Sequence, residues 1–226
     1  RSCAFLRKYF AESAAESGEP LLSAEITTMN EFFFSLGSLR KGDRVQQLLL
    51  LYDCYKELNP ACESLDDFIF WGDVLLADFD DVDKYLVKAQ ALFANVADFR
   101  SIQDSMEYLD ESQEAAIRHF ISHFREGGRY KDEFKKIWNI LYPLYCRFNE
   151  TLGSRGLCYE GMAYRDLAQR LDGEPVVDML AAAGRDACKY VFVGMNALNG
   201  CERKLMRKMR DAGIAEFCWD YSSEWI

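Results

Sequence analysis

The sequence lacks the features that mark several protein classes. No apolar run approaches the roughly 18 residues that a membrane-spanning helix needs, and the chain does not begin with the charged-then-apolar pattern of a secretory signal. Its eight cysteines are nowhere spaced C-x-x-C, which disfavours a zinc site. Scattered cysteines without a signal segment are typical of reduced thiols. We therefore expect a cytoplasmic protein without membrane association.

Motifs for nucleophilic hydrolysis and for phosphate binding are also lacking. The chain has no G-x-S-x-G elbow and no G-x-x-x-x-G-K-[ST] loop, the motifs that would expose a nucleophile or surround nucleotide phosphates with backbone amides. The two histidines, His119 and His123, lie four residues apart, a spacing that would place both on one face of a helix. A metal pair would need a third ligand, and the sequence suggests none nearby. We therefore predict a solvated or partly buried helix face there, and no metal site.

The charge balance is acidic, with 27 basic and 37 acidic residues and a net charge of −10. This balance does not indicate nucleic-acid binding, although it does not exclude a local basic surface. Every charge between Lys56 and Lys84 is acidic. A divalent-cation site is one explanation. We favour helix capping and solvation, with Asp66 and Asp67 at one helix start and Asp80 or Asp81 at another, near Val82.

Hydrophobic periodicity divides the chain into three regions. Residues 1–38 indicate a helix, a strand at 24–28 and a second helix that begins with the capping-box pair Thr28 and Glu31. The middle region predicts six helices, over 45–55, 65–76, 82–93, 115–124, 134–148 and 159–171. The last region predicts a strand at 189–193, a helix at 201–212 capped by Asn199, and a strand at 215–221. Strand, helix and strand in about thirty residues form a βαβ unit.

These regions together predict an α/β fold that is mostly helical overall. Residues 1–42 and 173–226 would form a partial parallel sheet, incomplete at its N-terminal side. Residues 43–172 would form a large all-α insertion in that sheet. The chain begins with Arg rather than Met, so we expect further sequence upstream.

Three stretches then carry a family resemblance: residues 71–99, 156–168 and 189–221, beginning WGDVLLADF, GLCYEGMAY and KYVFVGMNA. They are similar, in order, to the AddB family of the Bacteroidetes, relatives of RecC, and the opening RSCAFLRKYFAE resembles the family's early strand-to-helix segment. The resemblance implies a RecA-like, P-loop-type core with an inserted helical domain. It also implies a subunit that works with an AddA-like helicase–nuclease partner on DNA ends in repair and recombination. The family's nuclease motifs lie downstream of the matched region and outside this chain.

The predicted late strand bears on activity. Superfamily I helicases carry an acidic pair at the end of a core strand, where it holds magnesium. Here the strand is followed by Gly194, Met195 and Asn196, without a carboxylate. We therefore expect an inactivated helicase module that has no catalysis and no cofactor. One alternative is an active ATP- and magnesium-dependent helicase domain whose P-loop lies upstream of residue 1. Another is a generic helical interaction module, in which 189–221 would not form paired parallel strands.

DNA contacts are expected in two places. Ligands of open α/β sheets bind beyond the carboxyl ends of the strands, which indicates Arg1 with Ser2 and Asn196 with Asn199. The basic face of helix 201–212 adds Arg203 and Arg207, although such a face is also typical of a solvated helix. The expected ligand is DNA, possibly single-stranded, bound weakly by this chain alone.

Overall fold

Helices make up most of the protein, as the sequence predicts. The computed structural model describes residues 2–18, 24–94, 131–185, 187, 189–195 and 197–219. The helices in this part of the chain are α1 (Ser2–Ser17), α2 (Met29–Leu36), α3 (Arg44–Leu58), α4 (Leu65–Lys84), α5 (Ala89–Ala94), α6 (Lys131–Ser154), α7 (Glu160–Arg170), α8 (Val176–Ala182) and α9 (Gly200–Asp211).

Two parallel pairs of short strands make up the sheet structure of the described residues. Strand β1 (Arg40–Lys41) pairs with β2 (Leu157–Cys158), and β3 (Tyr190–Val193) pairs with β4 (Ala215–Cys218). The β1–β2 pair was not predicted. Each strand is only two residues long, too short to show an alternating pattern in the sequence. The two segments are also more than a hundred residues apart, so local sequence could not indicate that they pair.

The predicted unit of strand, helix and strand near the C-terminal end is confirmed within the described residues. Strand β3 lies parallel to β4, with Tyr190 opposite Ala215, and α9 connects the two. Asn199 is the N-cap of α9. Gly213 follows the helix with a φ of +72°, a conformation that glycine adopts without steric cost. The hypothesis of a purely helical module predicted no parallel pairing here, and that prediction is wrong.

The segment before α2 confirms the predicted cap but not the predicted strand. The Thr28 hydroxyl accepts the Glu31 N–H at 3.1 Å, and the Glu31 carboxylate accepts the Thr28 N–H at 2.8 Å, so the capping box is present. Residues 24–28 form no strand in the structure. Instead of pairing with a neighbouring strand, the Ile26 carbonyl accepts a hydrogen bond from the Arg7 side chain at 2.5 Å.

The boundary between the second and third predicted helices is wrong. Helix α4 runs through the predicted break as one helix of 20 residues, so Asp80 and Asp81 lie inside it and cap no helix. Its N-cap is Ser64, with Asp66 and Asp67 in the first turn rather than at the cap. The chain leaves the helix beyond Lys84, where Leu86 takes a positive φ of 59°. The continuous apolar face of α4 outweighed the acidic residues that suggested a new start.

The remaining predicted helices match the structure to different extents. The predicted helices 45–55 and 159–171 are confirmed as α3 and α7, and Asn59 is the C-cap of α3. Helix α6 contains the predicted 134–148 and extends beyond it at both ends, with Pro143 inside. The predicted helix 115–124, with its two histidines, lies outside the described residues. Helix α8 was not predicted.

The buried apolar side chains form two clusters. The first joins α3, α4, α5 and α6, with Tyr55, Phe68 and Phe148 almost completely buried. The second joins α2, α7, α8, α9 and β3, and includes Leu205 and Met209. Helix α7 belongs to the predicted insertion, yet several of its side chains pack in this second cluster. The division into residues 1–42 with 173–226 and residues 43–172 stays a prediction.

Helices α4 and α7 meet closely between the two clusters. A Cβ atom on Gly161 would lie 2.2 Å from the carbonyl oxygen of Asp80, so the approach requires glycine at this position.

Among the described residues, none of the helices combines the length and apolar character that crossing a bilayer requires.

Candidate nucleic-acid interface

Helix α9 presents one apolar and one basic face because of its residue spacing. Cys201, Leu205 and Met209 recur every four residues and are completely buried in the second cluster. Residues three or four apart share a helix face, so Arg203, Arg207 and Arg210 form a row on another side, where all three are exposed. We call this row the arginine row. It is a regular array of positive charge on a rigid element, suited to phosphate groups spaced along a strand.

Neighbouring acids neutralise part of the charge around this row. Lys204 forms an ion pair with Asp172 at 2.7 Å, and this lysine lowers the pKa of the Asp172 carboxyl. Arg210 pairs with the adjacent Asp211 at 2.8 Å. Arg207 has no ion-pair partner in the described part of the chain. Within the row, Arg207 is therefore the residue with the most uncompensated charge.

The side chain and the backbone N–H of Asn199 are both used to cap α9. Its amide oxygen accepts the Glu202 N–H at 2.9 Å, and its own N–H donates to the Glu202 carboxylate at 3.0 Å. Burial raises the pKa of Glu202, against the hydrogen bond from Asn199, which lowers it. A phosphate at this helix end would compete with the Glu202 carboxylate for the same N–H groups. The flank of α9 is therefore a better place for an anion than its N-terminus.

The other predicted contact residues are not brought together by the described structure. Ser2 is the first residue of α1, and nothing is described of its side chain. Arg1 and Asn196 lie outside the described residues. Of the six predicted residues, Asn199, Arg203 and Arg207 share one helix, and the last two are exposed. Their contact with DNA stays a prediction.

Strand β3 and the two residues that follow it, Gly194 and Met195, include no acidic side chain. Gly194 takes a φ of +72°. Among the described residues, no group of three or more His, Cys, Asp or Glu side chains is arranged to hold a metal ion.

A groove of about 740 Å³ lies between α3 and the C-terminal part of α6. Its lining includes three cations and three anions: Lys56, Arg147, Arg155, Asp53, Glu57 and Glu150. Arg147 and Glu57 pair with each other at 3.0 Å. This balance of charge favours no particular class of ligand.

A buried polar network at the end of α4 was not among the features predicted from the sequence. The side chain of Asp83 is about 1% exposed. Tyr145 donates to its carboxylate at 2.5 Å, Tyr159 donates to the other oxygen, and Arg165 Nε lies 2.5 Å away as an ion pair. The N–H of this Nε is not aligned for a hydrogen bond. Burial raises the pKa of Asp83, and the charge of Arg165 opposes that rise.

The same network holds α9 against α4. Arg165 also donates to the carbonyl oxygens of Val82 and Val87, at 2.7 Å and 2.6 Å, where α4 ends and the chain turns. The Cys201 thiol donates to the Asp83 carbonyl at 3.4 Å, and burial raises its pKa to about 12. The first turn of α9 is thus fixed to the last turn of α4. This contact and the buried side chains of α9 in the second cluster position the helix that carries the arginine row.

A second, more exposed set of charges borders the first. Lys84 contacts Asp80 and Glu160, each at 2.7 Å, and Lys41 contacts Glu160 at 2.9 Å. Burial alone would raise the pKa of Glu160, but hydrogen bonds from the two lysines outweigh it and leave the pKa below its usual value. For Lys84, the neighbouring carboxylates outweigh burial and raise the pKa.

One signal in the sequence could have indicated the buried network. Asp83 follows Leu76 and Phe79 at seven and four residues, so it lies on the apolar face of α4. An acidic residue in that position needs a buried partner. Because a ligand has no access to this carboxylate, the network supports the fold and is not a site of reaction.

Comparison with known proteins adds no relative. No protein-family model matches the chain, and neither the curated proteins nor the solved structures that were compared with it include a match.

Proposed function

We propose that this chain is a non-catalytic module of an AddB/RecC-like helicase–nuclease subunit in DNA double-strand-break repair and recombination. In this proposal it scaffolds a cytoplasmic complex with an AddA-like helicase–nuclease and guides DNA along the flank of α9. The observation that carries the proposal is the exposed arginine row on the helix of a parallel βαβ unit.

The uncovered face of the β3–β4 sheet supports a role within a larger assembly. Val191 and Val193 lie on this face and are 54% and 44% exposed, whereas Phe192 points to the other side and is buried. Parallel sheets are normally covered on both faces. A further layer on Val191 and Val193 would agree with a RecA-like sheet of which β3 and β4 are two strands.

The absence of catalysis is supported by the end of β3. A helicase core needs carboxylate oxygens beside the nucleotide to hold magnesium, and residues 190–195 contain none. An active helicase domain, with a P-loop upstream of residue 1, is the competing hypothesis. It predicts magnesium-dependent nucleotide binding in a longer protein.

DNA binding can be measured by the fluorescence anisotropy of a labelled oligothymidylate with the full chain. We expect weak binding at low salt that falls as salt rises, because phosphate contacts release counterions. The double variant Arg203→Gln/Arg207→Gln should bind more weakly. Its plot of log affinity against log salt should be less steep by about 1.4, since each phosphate contact on a single strand contributes roughly 0.7.

The matched control is Lys8→Gln/Lys56→Gln, which removes the same charge from exposed positions on α1 and α3. It should leave the salt slope unchanged. Equal losses in the two double variants would mean that net charge rather than α9 governs binding. Affinity that does not change with salt would exclude the phosphate-contact mechanism.

Nucleotide turnover tests the other half of the proposal. We expect no ATP hydrolysis by this chain, with or without magnesium and DNA. ATP hydrolysis by a longer protein, lost when Met195 at the end of β3 is replaced by a larger residue, would make the chain part of an active motor. The proposal would then be wrong.

A further inference from the structure

Three aromatic rings form a stack that continues beyond the end of β4. Phe192 lies directly opposite Phe217 in the register of the two strands, and their ring centroids are 5.4 Å apart, with planes 13° from parallel. Trp219 follows Phe217 by two residues, the spacing that keeps side chains on one side of a strand. The centroids of these two rings are 6.0 Å apart, with planes 12° from parallel. We call the three residues the aromatic stack.

The aromatic stack is fixed at one end and accessible at the other. Phe192 is buried in the second cluster, where the ring of Phe32 meets it edge-on at 6.5 Å. Phe217 is partly buried against the same cluster. Trp219 is 40% exposed, although tryptophan is highly buried on average. The indole is therefore a flat apolar surface whose orientation is already set by a ring anchored in the core, so a ligand loses little free energy in ordering it.

Trp219 lies at the same end of the βαβ unit as the first turn of α9. The Gly194 N–H donates to the Cys218 carbonyl at 3.3 Å, so the residue before Trp219 lies beside the loop that leads into α9. Because β3 and β4 are parallel, α9 runs back from the end where β3 finishes. Arg203, the fourth residue of α9, is exposed near this end. Ligands of open α/β sheets bind beyond the carboxyl ends of the strands.

We propose that the exposed indole of Trp219 stacks against a base of single-stranded nucleic acid whose phosphates the arginine row contacts. A strand of this kind carries planar rings and negative charge in alternation, which complements both the indole and the arginines. In a duplex each base is already stacked and paired, and exposing its face costs unstacking energy. The inference rests on the proposed function, because it places the strand along α9, and it adds that the bound form is single-stranded.

The test uses the full chain and two labelled oligomers of equal length, an oligothymidylate and an abasic oligomer with the same phosphates. Fluorescence anisotropy at low salt should show that the oligothymidylate binds about tenfold more tightly, since stacking of one base on an aromatic side chain contributes on this order. Both oligomers should lose affinity as salt rises, with similar slopes, because they offer the same phosphates.

Variants of the chain locate the stacking site. Trp219→Ala should weaken binding of the oligothymidylate by about tenfold and leave binding of the abasic oligomer within about twofold. It should not change the salt slope, because no charge is removed. Trp219→Phe keeps an aromatic ring and should restore most of the affinity. The matched control is Phe70→Ala, which removes an 82% exposed ring from α4 and should change neither affinity by more than about twofold.

A second measurement leaves an aromatic ring in place, so it does not depend on how well Trp219→Ala folds. The oligothymidylate should quench tryptophan fluorescence of the original chain, whereas the abasic oligomer should not, because only a stacked base contacts the indole. In Trp219→Phe this difference between the two oligomers should disappear while the oligothymidylate still binds. Quenching that is unchanged in Trp219→Phe would overturn the assignment to this residue.

Failure of this inference differs from failure of the proposed function. If Trp219→Ala binds both oligomers as the original chain does, while Arg203→Gln/Arg207→Gln still lowers the salt slope, the stacking proposal is wrong and the proposed function stands. If the original chain binds neither oligomer, both are wrong. A dimer in sedimentation analysis that Trp219→Ala dissociates would also overturn the stacking proposal, because a second copy of the chain would then cover the indole.

Discussion

Replacing Arg165 with methionine should destabilise the protein strongly through the buried carboxylate of Asp83. Methionine retains most of the length of the side chain and removes its charge. It also removes the donors to the carbonyl oxygens of Val82 and Val87. Asp83 would keep the hydroxyl donors Tyr145 and Tyr159, but no positive charge would balance it.

The size of the effect follows from the burial of the pair. Removing one partner of a buried ion pair leaves an uncompensated charge and costs about 3–5 kcal/mol. The Asp83 side chain is 1% exposed and that of Arg165 is 18% exposed, so solvent screening is slight. Lys41→Met is the matched control. It removes a cation from Glu160 at a side chain that is 50% exposed, where a pair contributes about 0–1 kcal/mol.

The pH dependence separates this mechanism from a general loss of packing. Burial already raises the pKa of Asp83, and loss of the Arg165 charge should raise it further in the folded state. A folded-state pKa above the unfolded value favours folding when the group is protonated. The deficit of Arg165→Met should therefore shrink as pH falls from 7 towards 4 and grow as pH rises again.

Urea unfolding at pH 7 and pH 5, followed by circular dichroism and tryptophan fluorescence, measures both effects. A double variant with Asp83→Asn should be less destabilised than the sum of the single variants by about 1–3 kcal/mol, because neutralising Asp83 removes the uncompensated charge. A loss of less than about 1 kcal/mol for Arg165→Met at pH 7, or an equal loss at both pH values, would refute a buried, uncompensated charge on Asp83.

Two further predictions concern the contact between α4 and α7 and the charges beside it. Gly161→Ala should lower the free energy of unfolding by about 1–3 kcal/mol or more, because its Cβ would meet the Asp80 carbonyl at 2.2 Å. Gly153→Ala, with a nearest contact of 3.7 Å, should stabilise the helix by about 0.5–1 kcal/mol. Similar unfolding energies for the two variants would contradict the close approach. Glu160→Gln should reduce the loss of stability on acidification below about pH 4.5, because the pKa of Glu160 is lowered in the folded state. Glu202→Gln should have the opposite effect, since the pKa of Glu202 is raised and its protonation favours folding, and acid titration of the melting temperature that shifts both variants in the same direction would refute this pair of signs.

The contacts around Asp83 also connect the helix that carries the arginine row with the rest of the protein. Arg165 and Asp83 join α7 to α4, and Cys201 joins α9 to the same point. A variant that loosens this point should displace the arginine row without changing any of its residues. DNA affinity of Arg165→Met, measured where the chain is still folded, would report that displacement.

Local signals were enough to determine several elements of this protein. The capping boxes at Thr28 and Asn199 each use two residues three positions apart, and both are present. The spacing of apolar residues predicted α3, α7 and α9, and the βαβ pattern predicted the parallel pair of β3 and β4. In each case the interactions that stabilise the element are close in the sequence or follow its period.

Only the tertiary structure decided the features that depend on distant residues. The segment 24–28 has a strand-like composition but forms no strand, because a strand needs a neighbour and its Ile26 carbonyl is bonded by Arg7 instead. The acids of α4 resembled caps in sequence, yet Asp83 is stabilised by residues 62, 76 and 82 positions away. A residue pattern shows that a buried charge needs a partner, but only the folded chain determines which side chains supply it.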